Sequence, residues 1–199
     1  MGKKKIIAGV DEVGRGPLAG PVAVGVVEAS VESLEYVKRF IAFTDSKKMT
    51  AKKREEVFEF IEQNKRKAGI NYAVSFVSAK KVDTVGINPA IAEAVKKSLQ
   101  KLKTEKSTEI FLDGGLKAPS EFINQKTIKH GDSVEDVIAL ASVIAKVVRD
   151  RRMAKYDSQF PGYDFLSNKG YGTKKHIESI KRLGMCQIHR RSYIKFLTE

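Results

Sequence analysis

Tryptophan is absent from the 199-residue sequence, and cysteine occurs once, at Cys186. A single thiol forms no internal disulfide and builds no thiolate zinc site alone. The three histidines, His130, His176 and His189, have no metal-ligand spacing. Proline is scarce at five residues, and no repeat or low-complexity tract interrupts the chain. No window approaches the roughly 20 apolar residues that span a bilayer. The basic start Met1-Gly2-Lys3-Lys4-Lys5 leads into an apolar run that meets acids within a few residues, which is not a signal peptide. Acids are also in deficit, with 24 Asp and Glu against 37 Lys and Arg, a net charge of +13. Such an excess points to a polyanion, nucleic acid before an anionic membrane. We therefore expect a cytoplasmic protein with no membrane association. With 42% hydrophobic residues, the chain can bury one sizeable core, or one domain plus a small helical appendage.

What is present reads as alternating strands and helices. Residues 5–10 and 21–27 are predicted strands, the second rich in valine. Thr50 is a predicted N-cap, since Val57, Phe60 and Ile61 recur at helical spacing after it. Residues 72–77 alternate as a strand. Ile91, Val95, Leu99 and Leu102 mark one helix face, and Ile110 to Leu112 forms a short apolar strand running into Asp113. Val137, Ile138, Ala141, Ile144, Ala145 and Val148 predict a longer helix with a small-residue face. After Phe160-Pro161-Gly162 the chain turns basic, with eight Lys or Arg and only Glu178 as an acid between Lys169 and Lys195. That shift suggests a helical C-terminal appendage used for binding.

The acids stand out against this background. "AGVDEVGRGPLAG" places Asp11 and Glu12 directly after a buried apolar run, Asp113 ends another in "IFLDGG", and Asp132 sits in "KHGDS" before the long helix. Asp-Gly is a common turn and Asp a common N-cap, which accounts for Asp113 or Asp132 taken singly. It does not account for two adjacent carboxylates beside a buried strand, which are costly unless paired or metal-bound. Strands ending at one sheet edge would gather the first three acids, and the start of a helix could deliver the fourth. Oxygen-only ligands favour Mg²⁺ or Mn²⁺, and these ions beside a phosphate backbone imply phosphodiester chemistry. Neighbouring side chains on a regular strand point to opposite faces, so Glu12 is expected where the strand is already breaking, near Gly14.

The blocks "GVDEVGRGPLAGPV", "TDSKKMT", "FLDGG", "HGDS", "ASVIAKVVRDR", "FPGYDFLSNKGYGTKKH" and "HRRSY" resemble, in order and over nearly the whole chain, those of type 2 ribonuclease H, ribonuclease HII. The resemblance implies an α/β, ribonuclease-H-like mixed sheet flanked by helices, with a C-terminal helical appendage. It divides the chain into a catalytic domain, 1–155, and a basic substrate-binding portion, 156–199. It also implies a two-metal endonuclease, using Mg²⁺ or Mn²⁺, that cuts the RNA strand of RNA/DNA hybrids. Such an enzyme also cuts 5′ of single ribonucleotides embedded in duplex DNA, leaving 3′-hydroxyl and 5′-phosphate ends.

By the same resemblance, Asp11, Glu12, Asp113 and Asp132 are catalytic metal ligands, with Asp11 bridging. Gly14, Arg15 and Gly16 would read the ribose 2′-hydroxyl, and Tyr171 would stack on the deoxyribose that follows. Ser46 and Lys47, with Lys48, Lys52, Lys53 and Arg54 nearby, would hold the DNA backbone. That many cations at a helix start oppose its dipole unless phosphate is bound. His189, Arg190 and Arg191 are expected as backbone binders, and Ser142 and Lys146 as structural or phosphate contacts. The sequence departs from the family pattern at His130, where a lysine is usual, and Asp136 is a rival for the fourth ligand. The type 3 enzymes resemble this core but carry a further N-terminal domain and usually Lys where Arg15 stands. A non-catalytic hybrid-binding module is the alternative from a different class. A monomer is the default expectation.

Overall fold

The computed structural model describes residues 5–195. β1 (Ile7–Val13), β2 (Val22–Ala29), β3 (Asn71–Val77), β4 (Glu109–Asp113) and β5 (Gln125–Ile128) form one sheet in the order β3-β2-β1-β4-β5. β1 runs antiparallel to β2 and parallel to β4; β2–β3 is antiparallel and β4–β5 parallel, so the sheet is mixed. The helices are α1 (Val31–Phe40), α2 (Ala51–Ala68), α3 (Ala79–Val85), α4 (Ile87–Leu102), α5 (Asp136–Gln159), α6 (Phe165–Asn168) and α7 (Lys174–Leu183).

Both sheet faces are covered. Leu34, Val37, Phe58, Ile61, Ile138 and Ile144 pack one face, bringing α1, α2 and α5 against it. Val10, Val24, Val26, Ile110 and Leu112 meet Ile91, Val95 and Leu99 of α4 on the other. A third cluster, Ala19, Met153, Tyr163, Phe165, Ile180 and Ile194, joins the end of α5 to the C-terminal helices. The predicted N-cap is observed, since the Thr50 hydroxyl accepts from Lys53 N at 3.2 Å. α5 continues unbroken through residue 155 to Gln159, so the expected boundary falls inside a helix. Among the described residues no helix is long and apolar enough to cross a membrane.

Two glycines bring α5 into close contact with the central strands. A Cβ at Gly9 would lie 2.3 Å from Val137 O, and one at Gly25 would lie 2.7 Å from Ala141 O. Any side chain there would lift α5 off the sheet. That packing sets Ser142 of α5 beside the acidic end of β1.

Candidate active site

β1 does not end on its carboxylates. It runs to Val13, and Asp11 and Glu12 remain paired with Gly25 and Val24 of β2. The parallel pairing with β4 stops at Val10–Leu112, so on that side the strand is open where the acids begin. The pairing is asymmetric: β2 holds β1 extended to Val13, while β4 ends at Asp113, which pairs there with Ile128 of β5. Strand alternation therefore holds, and it sends Asp11 and Glu12 different ways.

Among the described residues, Asp11, Asp113 and Asp132 form the one group of acids whose ligand oxygens all lie within 4.8 Å of one another. Asp113 is the last residue of β4, and its Oδ1 accepts Gly131 N at 2.7 Å. That bond ties the 3-10 turn Gly131–Ser133, which carries Asp132, to the end of β4. Asp132 is not the N-cap of α5: Glu135 occupies that position, with no side-chain cap bond.

Two of the trio are buried and Asp113 is half-buried, and compensating charge is short. Asp11 is 6% exposed and Asp132 3%. Burial, with the charges of Glu12 and Asp113, pushes the Asp11 carboxyl up to about 8 against the opposing hydrogen bond of Ser142. Burial and Asp113 likewise raise Asp132, against the pull of Lys47. Lys47 Nζ lies 3.3 Å from Asp132 Oδ2 on a side chain that is otherwise largely exposed. Burial opposes the charge on Lys47, yet Asp132, Asp11 and Asp45 outweigh it and raise its pKa. An all-oxygen set that repels itself and draws in a flexible ammonium is suited to a hard divalent cation. Asp11, Asp113 and Asp132 fit such an ion.

Glu12 lies outside the trio. Its Oε1 accepts from Arg15 Nε at 3.1 Å, and the Asp113 charge still helps raise its pKa after burial, while Arg15 lowers it. Arg15 also donates from Nη1 to Asn88 Oδ1 at 2.7 Å, so the glycine loop is tied to α4. Gly14 has φ +89°, and a Cβ there would meet Arg149 Nε at 2.3 Å. No L side chain fits that position without displacing Arg149.

His189 is buried at 3% exposed, away from any backbone-binding surface, and Arg190 too is placed differently from the expectation. It is fully buried, with Nη2 donating to Gly14 O at 2.6 Å, Nη1 to Arg15 O at 2.9 Å and Nε to Gly20 O at 3.0 Å. All its nitrogens are engaged by loop carbonyls, so it holds the glycine loop from below and presents nothing to a phosphate. Ser46 is also buried, its hydroxyl 2.7 Å from that of Ser142, behind Asp11. Arg54 donates to Ser46 O and Met49 O, so it too braces its own loop. Lys47, Lys48 and Lys52 remain exposed, as does Arg191, whose backbone N–H is bound by Asp83. Tyr171 projects from the Gly170–Gly172 loop, 42% exposed, and Gly170 O accepts from Leu18 N at 2.8 Å, docking that loop beside the glycine segment.

The sequence profile of the ribonuclease HII family matches residues 8–196. The ribonuclease HII of Caldicellulosiruptor bescii is 45% identical over 192 residues, covering 96% of this chain and 87% of that protein. The chain belongs to the ribonuclease HII family. It is thus a ribonuclease H, an endonuclease that hydrolyses phosphodiesters. Among solved structures, ribonuclease HII of Archaeoglobus fulgidus, in its complex with PCNA, superposes with a TM-score of 0.73 at 26% identity, covering 94% of this chain and 93% of that one. The ribonuclease H2 of Pyrococcus horikoshii gives 0.70 at 27% identity, covering 98% and 100%.

Within that family assignment, the rival Asp136 is set apart from the trio. Its carboxylate pairs with Lys38 of α1 at 2.8 Å. His130, the expected departure from the family pattern, is exposed at φ +56° and opens the turn that carries Asp132. Sequence reasoning missed Asp45, which is buried, accepts from Lys47 N at 2.8 Å and adds its charge to the field on Asp132. In the "TDSKK" block this acid precedes two lysines, so the local charge reads as basic.

Proposed function

We propose that this chain is a divalent-metal-dependent endonuclease that cuts the RNA strand of RNA/DNA hybrids and 5′ of single ribonucleotides in duplex DNA, leaving 3′-hydroxyl and 5′-phosphate ends. The observation that carries the reading is the largely buried trio Asp11, Asp113 and Asp132, faced by the ammonium of the exposed Lys47 in a chain of net charge +13. These three would hold the ions, two per site, Mg²⁺ or Mn²⁺, with Glu12 near enough to Asp113 to join them once Arg15 is drawn toward substrate. Bound ions of this kind activate water as nucleophile and stabilise the leaving oxygen. The protein's own groups hold the carboxylates: Ser142 with Ser46 behind it supports Asp11, and Gly131 N–H fixes Asp113.

In this reading the Gly14-Arg15-Gly16 backbone reads the ribose 2′-hydroxyl, and Tyr171 stacks on the following deoxyribose. Residues 156–199 would act as a basic substrate-binding portion on the 1–155 catalytic unit, with the enzyme working as a cytoplasmic monomer. The partner would be an RNA/DNA hybrid or ribonucleotide-containing duplex, with no membrane.

Gly16→Ala is the direct test of ribose reading. Nothing lies within 4 Å of a Cβ built at Gly16, so the variant is expected to fold with an unchanged melting temperature. Nicking at one embedded ribonucleotide should fall while binding to all-DNA duplex holds. Equal loss of both would remove the loop from ribose recognition. For the backbone-binding role, Lys48→Ala is expected to lower the slope of log affinity against log salt by about one, similarly for all sequences. An unchanged slope would return Lys48 to the solvated surface.

A further inference from the structure

The mechanism makes no use of His176 and His189, yet they are the two most enclosed imidazoles in the described chain. His176 on α7 is 0% exposed and His189 3%. Their Nε2 atoms are 3.1 Å apart. His176 Nδ1 lies 2.8 Å from Tyr171 O, and His189 Nδ1 lies 2.8 Å from Cys186 N. Tyr163 and Phe165 close around the pair, with ring centroids 5.0 Å from His189 and 5.3 Å from His176 respectively.

The backbone groups at the two ends determine every proton between them. An amide N–H can only donate, so His189 Nδ1 must be the bare nitrogen and its proton sits on Nε2. That proton points at His176 Nε2, which must therefore accept. The remaining proton of His176 is then on Nδ1, directed at the Tyr171 carbonyl, which can only accept. One chain of donors results, running from Cys186 N–H through both rings to Tyr171 O. A third proton has no acceptor along it, and burial lowers the pKa of both rings, that of His189 to about 4. The turn at one end is anchored as well, because Gly20 N binds Ile188 O at 2.8 Å and Arg190 N binds Leu18 O at 2.8 Å.

We infer that His176 and His189 are positioning residues for Tyr171: the neutral pair couples the Cys186–His189 turn to the Tyr171 carbonyl and so holds the exposed tyrosine ring in place beside the glycine loop. The functional consequence rests on the proposed stacking role of Tyr171. In that role the pair supports cleavage at a ribonucleotide followed by DNA more than cleavage within a long RNA tract, where no deoxyribose follows the cut.

The test has a spectroscopic arm and a kinetic arm. Imidazole ¹⁵N shifts of the wild-type protein at neutral pH are expected to show the Nδ1–H form for His176 and the Nε2–H form for His189; the opposite form at either ring overturns the donor chain. In the kinetic arm, kcat/KM is compared on a duplex with one ribonucleotide and on a long hybrid. Tyr171→Ala should lower the first several-fold more than the second, and His176→Leu should lower the ratio by a similar factor. His176→Asn, whose amide can still donate from the Nδ1 position, should restore most of it. If Tyr171→Ala shifts the ratio and His176→Leu lowers both substrates equally, the pair is merely structural and the inference falls alone. If Tyr171→Ala leaves the ratio unchanged, the stacking role falls. Hydrogen exchange then decides the pair: Thr173 N, bonded to Tyr171 O, should exchange faster in His176→Asn than in wild type and faster still in His176→Leu, and unchanged exchange in both overturns the coupling. Should His176→Leu not fold, the wild-type shifts and the His176→Asn kinetics and exchange carry the same decision.

Discussion

Asp132→Asn is expected to fold normally, bind hybrid at least as well as wild type, and lose turnover in Mg²⁺ by more than the roughly 10–100-fold that loss of an outer-shell partner costs. Asn matches Asp in volume and in capping ability, so a purely local structural role would be preserved. Its amide is neutral and a weaker donor to a hard cation, so a ligand role would not be. Tighter or equal substrate binding follows from removing one negative charge opposite phosphate and freeing Lys47, whose ammonium sits 3.3 Å from Asp132. Single-turnover nicking beside equilibrium binding and a melting curve separates these effects. Near-wild-type cleavage would take Asp132 out of the site and turn attention to Asp45, whose charge Asp132 already feels.

A second large effect is expected in the pH dependence of ion binding. In the metal-free protein, burial above all holds Asp11 protonated up to about pH 8. Below that pH an incoming divalent ion must displace the proton, and above it there is none to displace. Affinity for Mg²⁺ or Mn²⁺ should therefore rise by about tenfold per pH unit between 6 and 8 and level off above. Calorimetry in buffers of different ionisation heat should register close to one proton released per Asp11 at pH 7. The same group gives the metal-free fold the opposite slope: its folded pKa lies above the 3.8 of the free side chain, so stability falls as pH rises through that window. Added metal should recover it. Flat affinity from pH 6 to 8 would mean that Asp11 is already ionised without metal and does not bind the ion from a buried, protonated state.

Much of the site was legible because its chemistry is expensive. Adjacent carboxylates beside a buried apolar run, in a strongly basic chain, mark Asp11 and Glu12 whatever the fold, whereas Asp113 and Asp132, each readable singly as a turn or a cap, gained weight from being grouped with them. The motif blocks extended that to the family. The main-chain elements with strong periodicity, α2 and α4 among them, were equally readable, down to the Thr50 cap. β5 was not, because its four residues Gln125-Lys126-Thr127-Ile128 carry no apolar alternation; it is an edge strand whose pairing with β4 supplies what propensity does not. α1, too, escaped notice, since only Leu34 and Val37 of its larger apolar residues are buried.

Composition and spacing by themselves determined a nucleic-acid-facing chain with an acidic, oxygen-only centre, because net charge and the cost of burying carboxylates depend on residue type alone. Which charges face outward was decided only by the tertiary structure. Arg190 and Arg191 are adjacent in sequence, yet one is spent entirely on the carbonyls of Gly14, Arg15 and Gly20 while the other is exposed. Asp11 and Glu12 are likewise neighbours that part company because β2 keeps the strand extended past the end of β4. His176 and His189, thirteen positions apart with no motif between them, become one hydrogen-bonded unit. In each case the partners are backbone groups or side chains distant in sequence, and only the packed chain brings them within hydrogen-bonding distance.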